Sequence, residues 1–162
     1  MTTKTAFTTA EWKTLMQAPF VAGMYITMAD PSLSDSFKES VAVASKVAKT
    51  ARSGSGTELL AALAGEFNDF SNAAQAKPEF AARDMESIKA EALADIKAAA
   101  ALLQQKATAA ESAEIRQWLY DVALAAAEAA KEGDILGIGG VRVSDAEKAA
   151  LAQLAQALNI AA

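Results

Sequence analysis

Residues 85–103 read MESIKAEALADIKAAAALL, and their apolar side chains recur at intervals of three and four positions. This spacing places the apolar residues on one face of an α-helix and leaves the charged residues on the others. Pro78 suits the first position of a helix because it has no backbone N–H to leave unpaired. We therefore predict one long helix that begins at Pro78 and continues through Leu103.

The other long segments of the chain show the same helical period, separated by capping and loop signals. Thr8-x-x-Glu11 and Ser144-x-x-Glu147 are capping boxes, in which two side chains satisfy the first backbone N–H groups of a helix. Pro19 predicts a kink or a break in the first helix. We expect a third helix to begin at Thr57 and to fade by Ala76. The pattern predicts an all-α fold without a sheet.

Length and composition fit a single helical domain spanning residues 1–162. The chain is 52% hydrophobic but only 6% aromatic, and alanine supplies much of the apolar content. Small side chains allow helices to pack closely. We predict a single-domain bundle of six or seven helices.

The charge and the missing residue types exclude several functions. The formal net charge is −5, which disfavours nucleic acid as a partner and favours cations or basic proteins. The sequence has no cysteine, and therefore no disulfide, thiolate nucleophile or zinc–thiolate site. It has no histidine either, so the commonest general base and transition-metal ligand are missing.

The N-terminal residues and the most apolar run of the chain indicate where in the cell the protein is expected. We find no apolar core of a signal peptide after Lys4. The most apolar run, residues 18–29, is shorter than the roughly 20 residues that span a bilayer. We expect a cytoplasmic protein without a transmembrane segment.

Two segments of the chain resemble each other, which suggests an internal repeat. Residues 21–48 and 122–158 each contain an alanine-rich helix, an acidic residue, a loop and a Ser-Asp start to a second helix. We therefore predict that the two helix pairs are related by a pseudo-twofold axis.

The acidic loops between these helices carry a resemblance to a known family. The pattern of this family is an apolar helix, an Asp-Gly variant, a valine or leucine followed by serine, and a second apolar helix. The second loop carries it in Glu132-Gly133-Asp134 and Val143-Ser144-Asp145-Ala146-Glu147. The first loop carries it in Ala29-Asp30 and Ser34-Asp35. In this pattern the chain resembles the tellurite-resistance TerB-like family of bacterial all-helical proteins. The resemblance implies a duplicated helical unit, a role in tellurite or other chemical stress, and acidic residues that bind metal ions.

The acidic residues of the second loop are the candidate metal site. Carboxylate oxygens suit hard divalent cations such as Ca²⁺ or Mg²⁺. The candidate ligands are Glu132, Asp134, Asp145 and Glu147, with Asp30 and Asp35 as a weaker set. The alternative is that Glu147 caps its helix, Asp145 interacts with the helix dipole, and the others are solvated.

We also weigh three weaker candidates against structural interpretations. The Gly137-x-Gly139-Gly140 segment follows a helix and lacks a Lys-Ser/Thr ending, so a structural loop is favoured over a phosphate site. A line of carboxylates on the predicted fourth helix could be an acid–base pair, a docking face or a solvated stripe. Those carboxylates are Asp84, Glu91 and Asp95. The aromatic residues Trp12, Trp118 and Tyr120 are interpreted as core or helix-boundary residues.

These observations favour a binding module over an enzyme. The leading hypothesis is a stress-related, non-catalytic module that acts through a protein partner or self-association and binds a divalent cation. A metal-independent structural or interaction bundle is the first alternative. A metal-assisted hydrolase that uses only carboxylates is the second.

Overall fold

The computed structural model describes residues 1–30, 36–54, 56–129 and 143–160, with only the backbone for residues 36–39. Within these ranges the chain forms seven α-helices and no strand, which confirms the predicted all-α class. Short 3₁₀ turns precede the first helix, at Lys4–Ala6, and follow the third, at Glu66–Asn68. The helices are α1 (Thr9–Thr27), α2 (Ser36–Ser53), α3 (Glu58–Gly65), α4 (Phe70–Gln75), α5 (Met85–Lys106), α6 (Ala109–Ala129) and α7 (Asp145–Leu158).

Helix α1 lies at the centre of the bundle, where it packs against α5 and α6 and also contacts α2 and α7. Its buried residues extend from Trp12 to Ile26, so almost its whole length is covered. The core around it combines large aliphatic side chains with many alanines. Fully buried large residues are Leu15, Ile26, Leu59, Leu63, Ile96, Leu103, Ile115, Leu119, Leu154 and Leu158.

A close approach between α1 and α2 depends on a glycine. A Cβ built on Gly23 would overlap the Cγ2 atom of Val43. Val43 is 4% exposed and belongs to the core. This contact is an instance of the predicted close helix packing at small residues.

Two helix boundaries differ from the prediction, and the break allowed for at Pro19 does not occur. Helix α1 continues through Pro19 without a break, because core packing of residues such as Leu15 and Val21 on either side outweighs the lost backbone hydrogen bond. The third predicted helix ends at Gly65, and a separate α4 follows it. The fourth begins at Met85 and not at Pro78.

The late start of α5 has a local cause in Asp84. This side chain accepts a hydrogen bond from the backbone N–H of Ser87 at 2.9 Å, which caps the helix. A proline at a helix start is permitted but not required, whereas the aspartate satisfies an otherwise unpaired N–H group.

Both predicted capping boxes are confirmed. Thr8 and Glu11 satisfy each other's backbone N–H groups at the start of α1, and Ser144 and Glu147 do the same at the start of α7. No helix in the described ranges combines the length and apolarity needed to cross a membrane.

Candidate functional site

The predicted acidic cluster is only partly within the described residues. Glu132, Asp134 and Asp35 lie outside them, as does the Gly137–Gly140 segment, so the structure tests none of these as ligands. Asp30 follows the end of α1 and is half-buried. Within the described ranges, no group of three or more acidic residues is arranged to hold a metal ion.

The two described members of the cluster have different surroundings. Glu147 is 1% exposed, and its Oε2 accepts a hydrogen bond from the backbone N–H of Ser144 at 2.7 Å. Asp145 is exposed and forms an ion pair of 3.3 Å with Lys148. Glu147 therefore has the helix-capping role that we gave as the alternative. The metal hypothesis, which depends on Glu132 and Asp134, stays a prediction.

The carboxylates expected along one face of the fourth helix do not act as one stripe. Asp84 caps the helix, and its hydrogen bonds to Ser87 lower its pKa. Glu91 accepts backbone N–H groups of Ala81 and Ala82, both at 2.9 Å, which also lowers its pKa. Glu91 thus fastens the preceding loop onto α5.

The pKa of Asp95 is shifted in the opposite direction. Partial burial raises its pKa, and the nearby charge of Glu91 adds to the increase. The pKa values of these two neighbouring carboxyls are therefore shifted in opposite directions.

A different carboxylate, Glu66, lies at the centre of a polar site that the sequence analysis did not identify. Its Oε1 accepts hydrogen bonds from the Nζ of Lys4 at 2.5 Å and from the indole Nε1 of Trp12 at 3.2 Å. Its Oε2 accepts one from the Nδ2 of Asn72 at 2.7 Å. We call these four residues the Glu66 site.

The aromatic ring of Trp12 adds a second attraction for a cation. The Lys4 Nζ lies 5.5 Å from the centre of this ring, within the range of a cation–π interaction. Phe7 packs beside Trp12 with its ring centre 5.6 Å away. The ammonium group therefore faces a carboxylate and an aromatic ring together.

Local structure holds the carboxylate and the amide of the site. Gly65 ends α3, and the Glu66–Asn68 turn then directs the chain toward α4. Asp69 accepts the backbone N–H groups of Ser71 and Asn72 and so caps α4. These contacts fix Glu66 and Asn72 on adjoining turns.

The segment that carries Lys4 is anchored on both sides. The backbone N–H of Thr2 donates to Glu111 Oε1 at 2.9 Å. On the other side, Phe7 is buried, and Lys106 donates to the carbonyl of Ala6 at 3.2 Å. Lys4 therefore approaches Glu66 from a fixed stretch of backbone.

A cavity of about 430 Å³ opens beside the Glu66 site. Its walls include Thr5, Thr9, Lys13, Met16 and Gln75 together with the site residues. Hydroxyl, amide and apolar groups all face this space. It has room for the body of a small ligand next to the ammonium position.

Two further cavities have different linings. One of about 310 Å³ lies between α1 and α2 and is mostly apolar, with Phe20, Met24 and Val43 in its wall. Another of about 470 Å³ lies beside Trp118, whose indole N–H donates to Thr50 at 2.9 Å. Among these three cavities, only the first combines a carboxylate with an ammonium group on an aromatic face.

Sequence reasoning missed Glu66 because it falls within what was predicted as one continuous helix. The available signals were Gly65, a helix terminator, and Asp69, a capping residue. The interpretation of Trp12 and Trp118 as core residues is confirmed, since they are 3% and 5% exposed.

Comparison with known proteins gives no relative from which to transfer a role. No family model, curated protein or solved structure matches the chain.

Proposed function

We propose that this chain is a non-catalytic binding module whose ligand carries positive charge. The observation that carries the proposal is the Glu66 carboxylate, 11% exposed, which faces a cavity and already holds an ammonium group beside the Trp12 ring. Opposite charge and an aromatic face are the features that favour a cation.

The use of other carboxylates supports binding over catalysis. Glu11, Glu91 and Glu111 accept backbone N–H groups, and hydrogen bonding lowers the pKa of each one. A general acid or base at neutral pH needs a pKa near the working pH. These three carboxylates serve as structural acceptors and are therefore poor candidates for a general acid or base.

The overall charge agrees with a cationic ligand or a basic partner. A formal net charge of −5 attracts cations and repels anionic surfaces. We further propose that this binding activity serves the response to tellurite or related stress in the cytoplasm, as the resemblance to the TerB-like family implies. That part of the proposal has its support in the sequence pattern.

A nuclear magnetic resonance titration tests the proposal at its site. The indole N–H of Trp12 donates to Glu66, whereas that of Trp118 donates to Thr50, so one protein contains a reporter and an internal control. A W118F variant assigns the two signals. We expect n-butylammonium to move the Trp12 signal saturably and n-butyrate to leave it in place.

Glu66→Gln provides the matched variant, because it keeps an oxygen that can accept from Trp12 while removing the charge. We expect this variant to lose the response to n-butylammonium. Equal responses to the cation and to n-butyrate, or no response to either, would overturn the proposal.

A divalent cation at the second acidic loop is the other ligand proposed for this module. Its support is the acidic sequence pattern, with Asp145 exposed at the start of α7. We expect Ca²⁺ or Mg²⁺ to raise the melting temperature, and Asp134→Asn combined with Asp145→Asn to abolish that increase. An unchanged melting temperature in saturating Ca²⁺, Mg²⁺ and Zn²⁺ would remove the metal and leave a metal-independent bundle.

A further inference from the structure

We propose that the Glu66 site recognises a primary ammonium group, and that Lys4 occupies this site as an internal competitor which the ligand displaces. This inference rests on the proposed function and adds the chemical class of the ligand and a means of regulation. The juxtaposition that carries it is an exposed lysine that contacts a buried aromatic ring and a carboxylate, which is 11% exposed and is also held by a half-buried amide.

The members of the site differ in how firmly they are held. Trp12 is 3% exposed and the Glu66 side chain is 11% exposed, whereas the side chain of Lys4 is 54% exposed. A half-exposed lysine gains little from an ion pair because its charge is solvated and its side chain loses rotational freedom. Lys4 is therefore the exchangeable member.

The hydrogen bonds select among cations. Trp12 and Asn72 each donate to one oxygen of Glu66, and Oε1 has a second acceptor position that the primary ammonium of Lys4 fills. A quaternary ammonium has no N–H group to replace the bond from Lys4 to Oε1. A primary ammonium provides that donor as a compact charge.

A divalent metal ion fits these side chains less well. Mg²⁺ and Ca²⁺ require six or more oxygen ligands, or several waters in their place. The Glu66 site offers one carboxylate, and the indole N–H of Trp12 and the Nδ2 of Asn72 both point to it as donors. The same donors do not conflict with an incoming ammonium, which needs one oxygen and the ring face.

Because the backbone on either side of Lys4 is anchored, a ligand can replace the Lys4 ammonium by a movement of that side chain alone. Thr2 is held by Glu111 and Phe7 is buried, so the Lys4 side chain can swing out while the segment around it keeps its contacts. The cavity next to the site would then receive the carbon chain of the ligand along Phe7 and Met16. Thr5, Thr9 and Gln75 supply hydrogen-bonding groups for any polar atoms further along.

Competition by Lys4 has a measurable consequence. A tethered ammonium acts at a high effective concentration, so it weakens the apparent affinity for every external ammonium. An exposed ion pair is weak, and its loss corresponds to at most about a fivefold change in affinity. Removal of the Lys4 charge should therefore tighten binding of n-butylammonium by about twofold to fivefold.

The experiment is a calorimetric and Trp12 fluorescence titration with n-butylammonium on three proteins: unmodified, Lys4→Met and Lys13→Met. Lys13 lines the same cavity but pairs with Glu79 at 3.0 Å, so Lys13→Met changes the net charge equally without freeing Glu66. We expect tighter binding only for Lys4→Met. Adding Glu66→Gln to that variant should abolish the binding.

The outcomes separate this inference from the proposed function. Binding that is equal in Lys4→Met and Lys13→Met would overturn displacement of Lys4 and leave a cation-binding module. Equal binding of n-butanol or of tetramethylammonium would overturn selectivity for a primary ammonium. Absence of binding in all three proteins would overturn both proposals.

The natural source of the ammonium is distinguished by two further ligands. Spermidine is a free amine, and an acetylated, amidated Gly-Lys-Gly peptide presents a lysine side chain. If spermidine binds Lys4→Met more tightly than it binds the unmodified protein, the site is assigned to small amines. If the peptide shows this difference, the site is assigned to a lysine of a partner protein. If neither bound more tightly to Lys4→Met than to the unmodified protein, displacement of Lys4 would be overturned.

Discussion

Glu111 shows how one buried carboxylate joins distant parts of the chain. It is 4% exposed and accepts the backbone N–H groups of Thr2 and Thr108, both at 2.9 Å, and the Thr108 hydroxyl at 2.7 Å. Burial alone would raise its pKa, but these hydrogen bonds outweigh burial and lower the pKa from 4.5 to about 2. The charged form therefore stabilises the fold.

Glu111→Gln should lower the free energy of unfolding by about 1–3 kcal/mol at pH 7, because the new amide N–H₂ cannot accept the N–H groups that face it. A group whose pKa is lower in the folded state contributes stability above its unfolded pKa and loses it in acid. The difference between the two proteins should hold from pH 7 to about 5 and shrink as the pH falls from 4.5 toward 2. Urea unfolding at several pH values measures it.

Glu86→Gln is the matched control for this prediction. Glu86 is also in the first turn of a helix, but it is exposed. Surface substitutions of this kind change stability by about 0.5 kcal/mol or less. If Glu111→Gln lowers the free energy of unfolding no more than Glu86→Gln does, the stabilising role assigned to the Glu111 carboxylate would be contradicted.

At the scale of helices, the two glycines of α1 and α3 have opposite roles. Gly23 faces Val43 so closely that a Cβ would overlap its side chain, whereas a Cβ on Gly65 would meet nothing within 4 Å. Overpacking costs about 1–3 kcal/mol, which exceeds the gain of up to about 1 kcal/mol in helix propensity. Gly23→Ala should therefore lower the melting temperature.

Gly65→Ala is expected to raise the melting temperature, since its backbone is already helical and the new methyl group has open space. Thermal unfolding followed by circular dichroism checks both variants. Stabilisation by Gly23→Ala would show that the spacing of α1 and α2 is not set by Gly23, and destabilisation by Gly65→Ala would contradict the open space assigned to that position.

Helix boundaries show where sequence patterns lead to the right element but the wrong end. The apolar period of residues 85–103 placed α5 correctly, since Ala92, Ile96, Ala99 and Leu103 are all buried. Its start was misplaced at Pro78, because several residues could begin a helix and the capping bond of Asp84 selects among them. Of the two outcomes predicted for Pro19, the break does not occur, because burial of its neighbours, a tertiary effect, maintains α1, and the kink stays a prediction.

At the scale of the whole molecule, the two repeat-like segments meet through α1 and α6. Helix α1 contacts α2, α6 contacts α7, and α1 and α6 pack against each other. This arrangement is compatible with a duplicated helix pair, and the pseudo-twofold stays a prediction. We expect a crystal structure to superpose residues 122–158 on 21–48 with one crossing angle for both pairs.

The α1–α5 pair is the control for that superposition, because no sequence similarity links it to the α1–α2 and α6–α7 pairs. If α1–α2 resembles α6–α7 no better than it resembles α1–α5, the repeat is a product of alanine-rich composition. The same structure would show whether Glu132 and Asp134 approach Asp145.

The sequence by itself determined the all-helical class, the amphipathic faces and the two capping boxes, because these depend on residues three or four positions apart. Tertiary structure alone decided the Glu66 site, whose members Lys4, Trp12, Glu66 and Asn72 lie up to 68 positions apart. It also decided the contact between Thr2 and Glu111, 109 positions apart. Local periodicity reports which face of a helix is apolar, but it does not report which polar side chains meet once those faces pack.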